Sequence, residues 1–253
     1  MVIENIFLKT LIDLSWLLGI IVIIGLLLGL LRNTAMANYQ KRFGRQAIYI
    51  TGIVGVPIHE LSHLIVALLF GHKIKEVKFF QVNSENRTLG YVNHSYNPRN
   101  IYHQIGNFFI GIAPIICGSL ILFLLLKIFV PASLENTNDL LSSNGVFTFL
   151  KSIFSLANFK RLEFYLFLYL VFSICSHISL SKADVKGAFI GVIFIFIILL
   201  FLNILDVNIL AHINIIKYNL LLTNVLIVSL IFSSINFFIS FIFFESIHPV
   251  FVS

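Results

Sequence analysis

The sequence predicts an all-α polytopic membrane protein with about six transmembrane helices and a small β-hairpin between the second and third spans. Three observations support this fold class. The chain is 58% hydrophobic and only 11% charged, which leaves too little polar surface for a water-soluble domain of 253 residues. Its apolar residues are gathered into long runs of membrane-spanning length. One segment between two runs alternates apolar and polar residues instead, as half-buried strands do.

The first two apolar runs predict the first two helices. Residues 14–31 form the first span, and a polar, basic connection follows over 32–46. The second span covers about 47–70. Pro57 lies inside it and removes a backbone donor, so we expect this helix to kink or loosen there. A kink that serves only packing is an equally good interpretation.

The alternating segment, 72–100, predicts the hairpin. Residues 73–81 and 89–96 are both β-prone, and the polar stretch 83–86 between them is rich in turn residues. We expect this hairpin at the membrane surface. The edge of a sheet beside an active site can pair with an extended substrate, and a plain surface hairpin is the alternative.

The rest of the chain predicts four further spans and one longer connection. The third span carries several Gly residues and Pro114, so its first half is expected to be irregular or re-entrant. A polar connection with an amphipathic piece at the interface follows it. No internal repeat divides the chain, which predicts a single domain over 1–253. The predicted spans are 102–130, 162–180, 188–205 and 220–244, and the connection is 132–161.

An H-E-x-x-H motif, His59, Glu60 and His63, lies inside the second span. Residues four apart on a helix differ by about 40° in rotation and about 6 Å along the axis, so both imidazoles can reach one metal ion. Glu60 can then hold a metal-bound water as general base, as this motif does in zinc hydrolases. An unpaired charge in a membrane span costs about 3 kcal/mol, so Glu60 needs compensation. Zn²⁺ is the predicted cofactor, and a neutral Glu-His pair that joins two helices is the alternative.

A catalytic zinc takes three protein ligands and leaves one position for water, so a third ligand is required. Asp184 is the best placed, in the polar break 181–187 between two spans. Ser181 precedes it by three residues and would form a helix capping box with it, and one carboxylate can fill both roles. His177 is the second choice, as a ligand or as a donor to the oxyanion, although a lone histidine there is commonly a packing residue. The other candidates are Asp206, His212 and His248.

The arrangement resembles the site-two protease family of intramembrane zinc metalloproteases. The resemblance rests on the H-E-x-x-H motif in a spanning helix, the strand-prone segment 72–100, the glycine- and proline-bearing stretch 111–114, and an aspartate at the end of a later span. It implies that His59, His63 and Asp184 bind zinc and that Glu60 activates water. It covers a catalytic core of about 47–187.

This chain departs from the family near the third ligand. Members carry an asparagine, prolines and an Asp-Gly pair around that aspartate, whereas this chain has Ser176, Ser179 and Ser181 at the corresponding places. Val185 stands where members have the glycine. The chain therefore resembles a divergent member.

Together these features predict a zinc-dependent intramembrane endopeptidase, an integral multi-pass protein of the cell membrane that cleaves membrane-embedded or membrane-proximal peptide bonds. Its partners are the lipid bilayer and a transmembrane protein or peptide substrate. The net charge of +6 is scattered between apolar runs, which suits lipid headgroups and predicts no nucleic-acid partner. The resemblance places the N-terminus, the hairpin and the Asp184 turn on the cytosolic side. The alternative is a non-proteolytic metal-binding membrane protein, either a transporter or a catalytically silent homologue.

Overall fold

Helices make up most of the protein, and a two-stranded antiparallel sheet follows the second of them. The computed structural model describes residues 2–82, 88–131, 145–207 and 215–245. The elements in chain order are α1 Val2–Phe43, α2 Gln46–Leu69, β1 Lys73–Lys78, β2 Tyr91–Ser95, α3 Ile101–Phe129, α4 Gly145–Ile153, α5 Leu156–Phe159, α6 Leu162–Cys175, α7 Lys182–Ile204 and α8 Ile215–Glu245.

Five of these helices, α1, α2, α3, α7 and α8, are long and apolar enough to cross a membrane. They confirm the predicted polytopic, all-α class. The predicted fourth span is represented by α6, an apolar helix of 14 residues that is shorter than a full crossing. The predicted amphipathic piece is present as α4 and α5, whereas 132–144 of the preceding connection lies outside the described residues.

The first helix is longer than predicted. The expected polar connection 32–46 is wrong, because α1 continues without a break to Phe43. No glycine or proline interrupts the chain between Arg32 and Phe43, so nothing in the backbone stops the helix there. It ends at Gly44, whose φ of 72° fits a glycine C-cap and whose N–H donates to the carbonyl of Gln40 over 3.1 Å. Arg32 therefore lies within a helix and not in a loop.

The third span is regular. The expected irregular or re-entrant first half is wrong, because α3 is one continuous helix through Pro114. A proline removes a single backbone donor, and in apolar surroundings the remaining helical hydrogen bonds are retained. The second helix, α2, likewise continues without a break through Pro57.

The break between the fourth and fifth spans is displaced toward the N-terminus from its predicted position. The chain leaves the helical conformation over 176–181, and α7 already begins at Lys182. The predicted capping box is present: Ser181 Oγ accepts the Asp184 N–H over 3.1 Å, and Asp184 Oδ2 accepts the Ser181 N–H over 2.7 Å. These two bonds satisfy two of the four free donors at the start of α7 and fix its first turn.

The predicted hairpin is confirmed, since β1 and β2 pair antiparallel with an irregularity between Ile74 and Glu76. The turn predicted over 83–86 lies outside the described residues. In the helical part, α2 packs between α3, α6 and α1, while α1 packs along α8 and α3 along α7. Large buried side chains such as Phe108, Ile115 and Phe167 fill the spaces between these helices. The face of α2 that carries His59, Glu60 and His63 is therefore packed inside the bundle, while its opposite face is exposed.

Candidate metal centre

The two motif histidines lie side by side on α2 and are largely buried. Each ring is held by a backbone carbonyl from another element. His59 Nδ1 lies 2.9 Å from the carbonyl oxygen of His177, and His63 Nδ1 lies 2.8 Å from that of Ile110. A carbonyl only accepts, so in both rings the Nδ1–H is the donor. Hydrogen bonds of this kind orient metal-binding histidines.

The hydrogen bonds at Nδ1 determine the state of the opposite nitrogens. With each proton at Nδ1, both Nε2 atoms carry lone pairs, yet they face each other at 3.1 Å. Asp184 completes the group, with Oδ1 3.3 Å from His63 Nε2 and Oδ2 4.0 Å from His59 Nε2. Three acceptors converge, and they repel one another unless a cation lies between them.

The spacing of these atoms fits zinc. Tetrahedral zinc with bonds of about 2.0–2.1 Å keeps its ligand atoms about 3.3 Å apart, close to the shorter distances here. His59, His63 and Asp184 are a group of side chains that could hold a metal ion. The donor set, two imidazoles and one carboxylate, also suits zinc.

Close packing at two glycines brings the segments that contain Asp184 and His177 next to α2. A Cβ at Gly111 of α3 would lie 2.7 Å from the backbone oxygen of Asp184, so α3 and the start of α7 meet only because this side chain is absent. A Cβ at Gly55 of α2 would lie 2.5 Å from the ring of His177. These contacts place the carboxylate and the orienting carbonyl of the 176–181 segment beside the motif.

Glu60 is buried next to the two histidines and lines the same cavity, whose volume is about 650 Å³. Within the described part of the chain, no hydrogen bond ties its carboxylate to another group. Its oxygens are therefore available to a water molecule in the cavity. Gly90, just before β2, makes room for it, because a Cβ there would lie 2.8 Å from Glu60 Cγ.

The structure also places the other predicted site residues. His177 lines the cavity but is not one of the grouped metal-binding side chains: its Nε2 lies 3.3 Å from Thr51 Oγ1, and its backbone carbonyl accepts from His59 Nδ1. Asp206 follows the last turn of α7, about 30 Å from Asp184 at 1.5 Å per helical residue. His212 and His248 lie outside the described residues. The carbonyl of Ile110 was not predicted, and no side-chain pattern could have revealed it.

A second pair of histidines lies outside the membrane-spanning helices. His72 Nε2–H donates to the carbonyl of His103 over 3.0 Å, which leaves its Nδ1 as an acceptor. His94 Nδ1 lies 3.0 Å from that atom and donates to it. Burial lowers the pKa of His72, and burial together with the nearby His72 and His63 lowers the pKa of His94 to about 4. Both rings are neutral near pH 7.

The fold and the centre define a class: a helical protein with five helices long and apolar enough to cross a membrane, and with a group of side chains that could hold a metal ion beside a buried glutamate. A family model described as "Putative zincin peptidase" matches residues 52–172, just under half of the chain. This similarity supports a zinc-dependent peptidase. The match includes His59, Glu60 and His63, whereas Asp184 lies beyond its end. No curated protein and no solved structure matches the chain.

Proposed function

We propose that this protein is a zinc-dependent intramembrane endopeptidase of the H-E-x-x-H type, similar to the site-two protease family. One observation carries the proposal: the Nε2 atoms of two imidazoles, whose Nδ1 atoms donate to carbonyls, converge with a carboxylate oxygen directly beside a buried glutamate. A metal ion resolves this arrangement, and Glu60 provides the base that hydrolysis requires.

The roles of the side chains follow from their positions. His59, His63 and Asp184 would hold the ion, which when bound supplies Lewis-acid activation of a water molecule. Glu60 accepts the proton of that water at a carboxylate oxygen while the water attacks the peptide carbonyl. Glu60 then returns the proton to the leaving amine. The carbonyls of His177 and Ile110 keep both imidazoles turned toward the ion throughout.

The place of the site favours a substrate at membrane depth. The motif lies in the middle of α2, a helix long and apolar enough to cross a bilayer, and the cavity extends from it to β2. A helical substrate hides its carbonyls in its own hydrogen bonds, so it must unwind before attack. An opened segment can pair with the edge of the hairpin, which is the use of a sheet edge that we propose here.

Replacing Glu60 tests the peptidase proposal directly. Glu60→Gln keeps the shape of the site and removes the base, so we expect cleavage of a membrane-embedded reporter to fall by about 100-fold or more with zinc content unchanged. The exposed Glu163, which pairs with Arg161 at 3.8 Å, offers a matched control. Glu163→Gln should cleave normally. Undiminished cleavage in Glu60→Gln would refute the proposal.

The transporter alternative requires polar groups along a path across the membrane. In this structure Asn236 of α8 joins helices instead: its Nδ2 donates to Ser176 Oγ, just after α6, over 2.9 Å, and its Oδ1 accepts from Tyr39 Oη of α1 over 2.8 Å. None of these side chains lines the large cavity. A catalytically silent homologue would bind zinc without needing Glu60, and the Glu60→Gln assay separates it from a peptidase.

A further inference from the structure

The first helix is fixed against the segment that leads to Asp184. The Leu180 N–H donates to the carbonyl of Gly25 over 3.3 Å. One turn later, a Cβ at Gly29 would lie 2.8 Å from the carbonyl oxygen of Leu180. The backbones of α1 and the 176–181 segment are therefore in direct contact, which fixes the face that α1 turns toward the metal centre.

Residues further along the same face of α1 line the cavity. Arg32 follows Gly29 by three residues, and Met36 and Gln40 follow at intervals of four, so all three lie on the side that contacts the centre. All three line the cavity together with His59, Glu60 and Asp184. Arg32 thus faces the reaction space and not the lipid. Taking a guanidinium out of water is costly unless it has a partner.

Most of the hydrogen-bonding capacity of Arg32 is unused. Its only hydrogen bond among the described residues is a long one, from Nη1 to Ser179 Oγ at 3.4 Å. The buried Nε has no partner within the described part of the chain. No carboxylate of the described residues lies within 4.0 Å of its guanidinium. A guanidinium presents five N–H donors in a planar fork that matches a carboxylate, so this group is equipped for a ligand that these residues do not provide.

The charge of the cavity points to the same kind of ligand. Apart from Arg45, which has an interaction of its own, the charged side chains of the lining are the cation Arg32 and the anions Glu60 and Asp184. A divalent ion at the metal centre therefore leaves the cavity with a net positive charge. In surroundings of low dielectric constant this charge favours an anionic group in the substrate.

We propose that Arg32 binds a carboxylate of the substrate, so that the enzyme prefers peptides with a carboxylate close to the cleaved bond. This inference rests on the proposed function and adds a substrate class to it. The carboxylate belongs either to the C-terminus of the peptide or to an Asp or Glu side chain. A simpler role for Arg32, balancing the charges of Glu60 and Asp184, predicts no such preference.

The test measures binding without turnover, using the full-length Glu60→Gln protein in detergent micelles. The probes are fluorescein-labelled apolar hexapeptides that differ in one group: a C-terminal carboxylate, a C-terminal amide, or an amide peptide with an internal Glu or Gln. Fluorescence anisotropy should show at least one carboxylate probe binding about tenfold more tightly than its neutral counterpart. The carboxylate probe that binds more tightly than its neutral counterpart identifies which carboxylate is recognised.

Variants of Arg32 test whether this residue binds the carboxylate. Arg32→Gln should abolish the preference, and Arg32→Lys should retain part of it, since an ammonium keeps the charge but lacks the fork. Arg42, exposed on the same helix, gives the control Arg42→Gln, which should behave as the parent. Equal binding of charged and neutral probes by the parent overturns the inference, as does a preference that survives Arg32→Gln. Loss of cleavage bears on the proposed function separately, because these measurements require no hydrolysis.

Discussion

Two pairs of histidines in this protein look alike by distance and differ in chemistry. In the pair on α2, the Nε2 atoms of His59 and His63 are 3.1 Å apart. In the pair beside the hairpin, the Nδ1 atoms of His72 and His94 are 3.0 Å apart. Either separation would suit a hydrogen bond between two rings.

The two pairs differ in the hydrogen bonds that the rings make to backbone carbonyls. Both rings of the α2 pair donate to carbonyls, so neither has a proton left for the space between them. In the hairpin pair only His72 donates to a carbonyl, and His94 supplies the proton between the rings. The first pair can therefore hold a metal ion between its rings, whereas the second pair is complete without one. The hydrogen-bond partners, and not the distance between the nitrogens, identify a metal site.

The largest expected contrast is in zinc binding. His63→Ala removes a ligand, so zinc affinity should fall by more than the roughly 100-fold seen when only a residue that orients a ligand is lost. His72→Ala should leave zinc affinity unchanged, because that pair needs no ion. Zinc titration of the purified, metal-stripped variants measures both. Equal losses in the two variants would mean that the hairpin pair also takes part in binding the metal.

A smaller effect is expected from the packing that supports the α2 pair. Gly111→Ala forces the start of α7 away, since the new Cβ would lie 2.7 Å from the Asp184 backbone oxygen. Displacing Asp184 should weaken zinc binding by about 10- to 100-fold. Gly19 of α1, where an added Cβ would meet no atom within 4 Å, provides the control Gly19→Ala. Wild-type zinc affinity in Gly111→Ala would show that the centre tolerates movement of α7.

The smallest expected effect is on the pH dependence of stability, through protonation of His94 in the hairpin pair. The pKa of His94 is lowered to about 4, mainly by burial, so the unfolded chain takes up this proton at a higher pH than the folded one. The contribution of His94 to stability is therefore present above its unfolded pKa of about 6.5 and is lost as pH falls toward 4. NMR titration of the imidazole signals should show His94 neutral at pH 5.5. An ordinary titration midpoint for His94 would contradict the burial of its ring beside His72.

The sequence was sufficient to predict the class of the fold and the placing of His59, Glu60 and His63 on one helix. Long apolar runs and strand alternation are local patterns, and so are the H-E-x-x-H spacing and the Ser181–Asp184 capping box, which the structure contains. The length of α1 was predicted wrongly because polarity was taken as a loop signal, although residues 32–43 contain no helix breaker. Residue polarity alone does not end a helix.

The features of the site that the sequence did not predict depend on contacts between segments that are distant in the chain. The carbonyls of Ile110 and His177 have no side-chain signature, and only the tertiary structure shows that they orient the ligands. The inward direction of Arg32 likewise follows from the contact of Gly25 and Gly29 with Leu180. Helical periodicity can place Gly25, Gly29 and Arg32 on one face of α1. It cannot predict which segment packs against that face.

The origin of the two orienting carbonyls also bears on how the protein is made. The ligands on α2 are synthesised early, yet their orientation depends on α3 and on the segment after α6, and the third ligand arrives with α7. A nascent chain that has inserted only its first helices has the motif without the centre. If these residues hold zinc as we propose, full affinity for the ion would be reached only after α7 has packed beside α2, and the protein would be inactive until then.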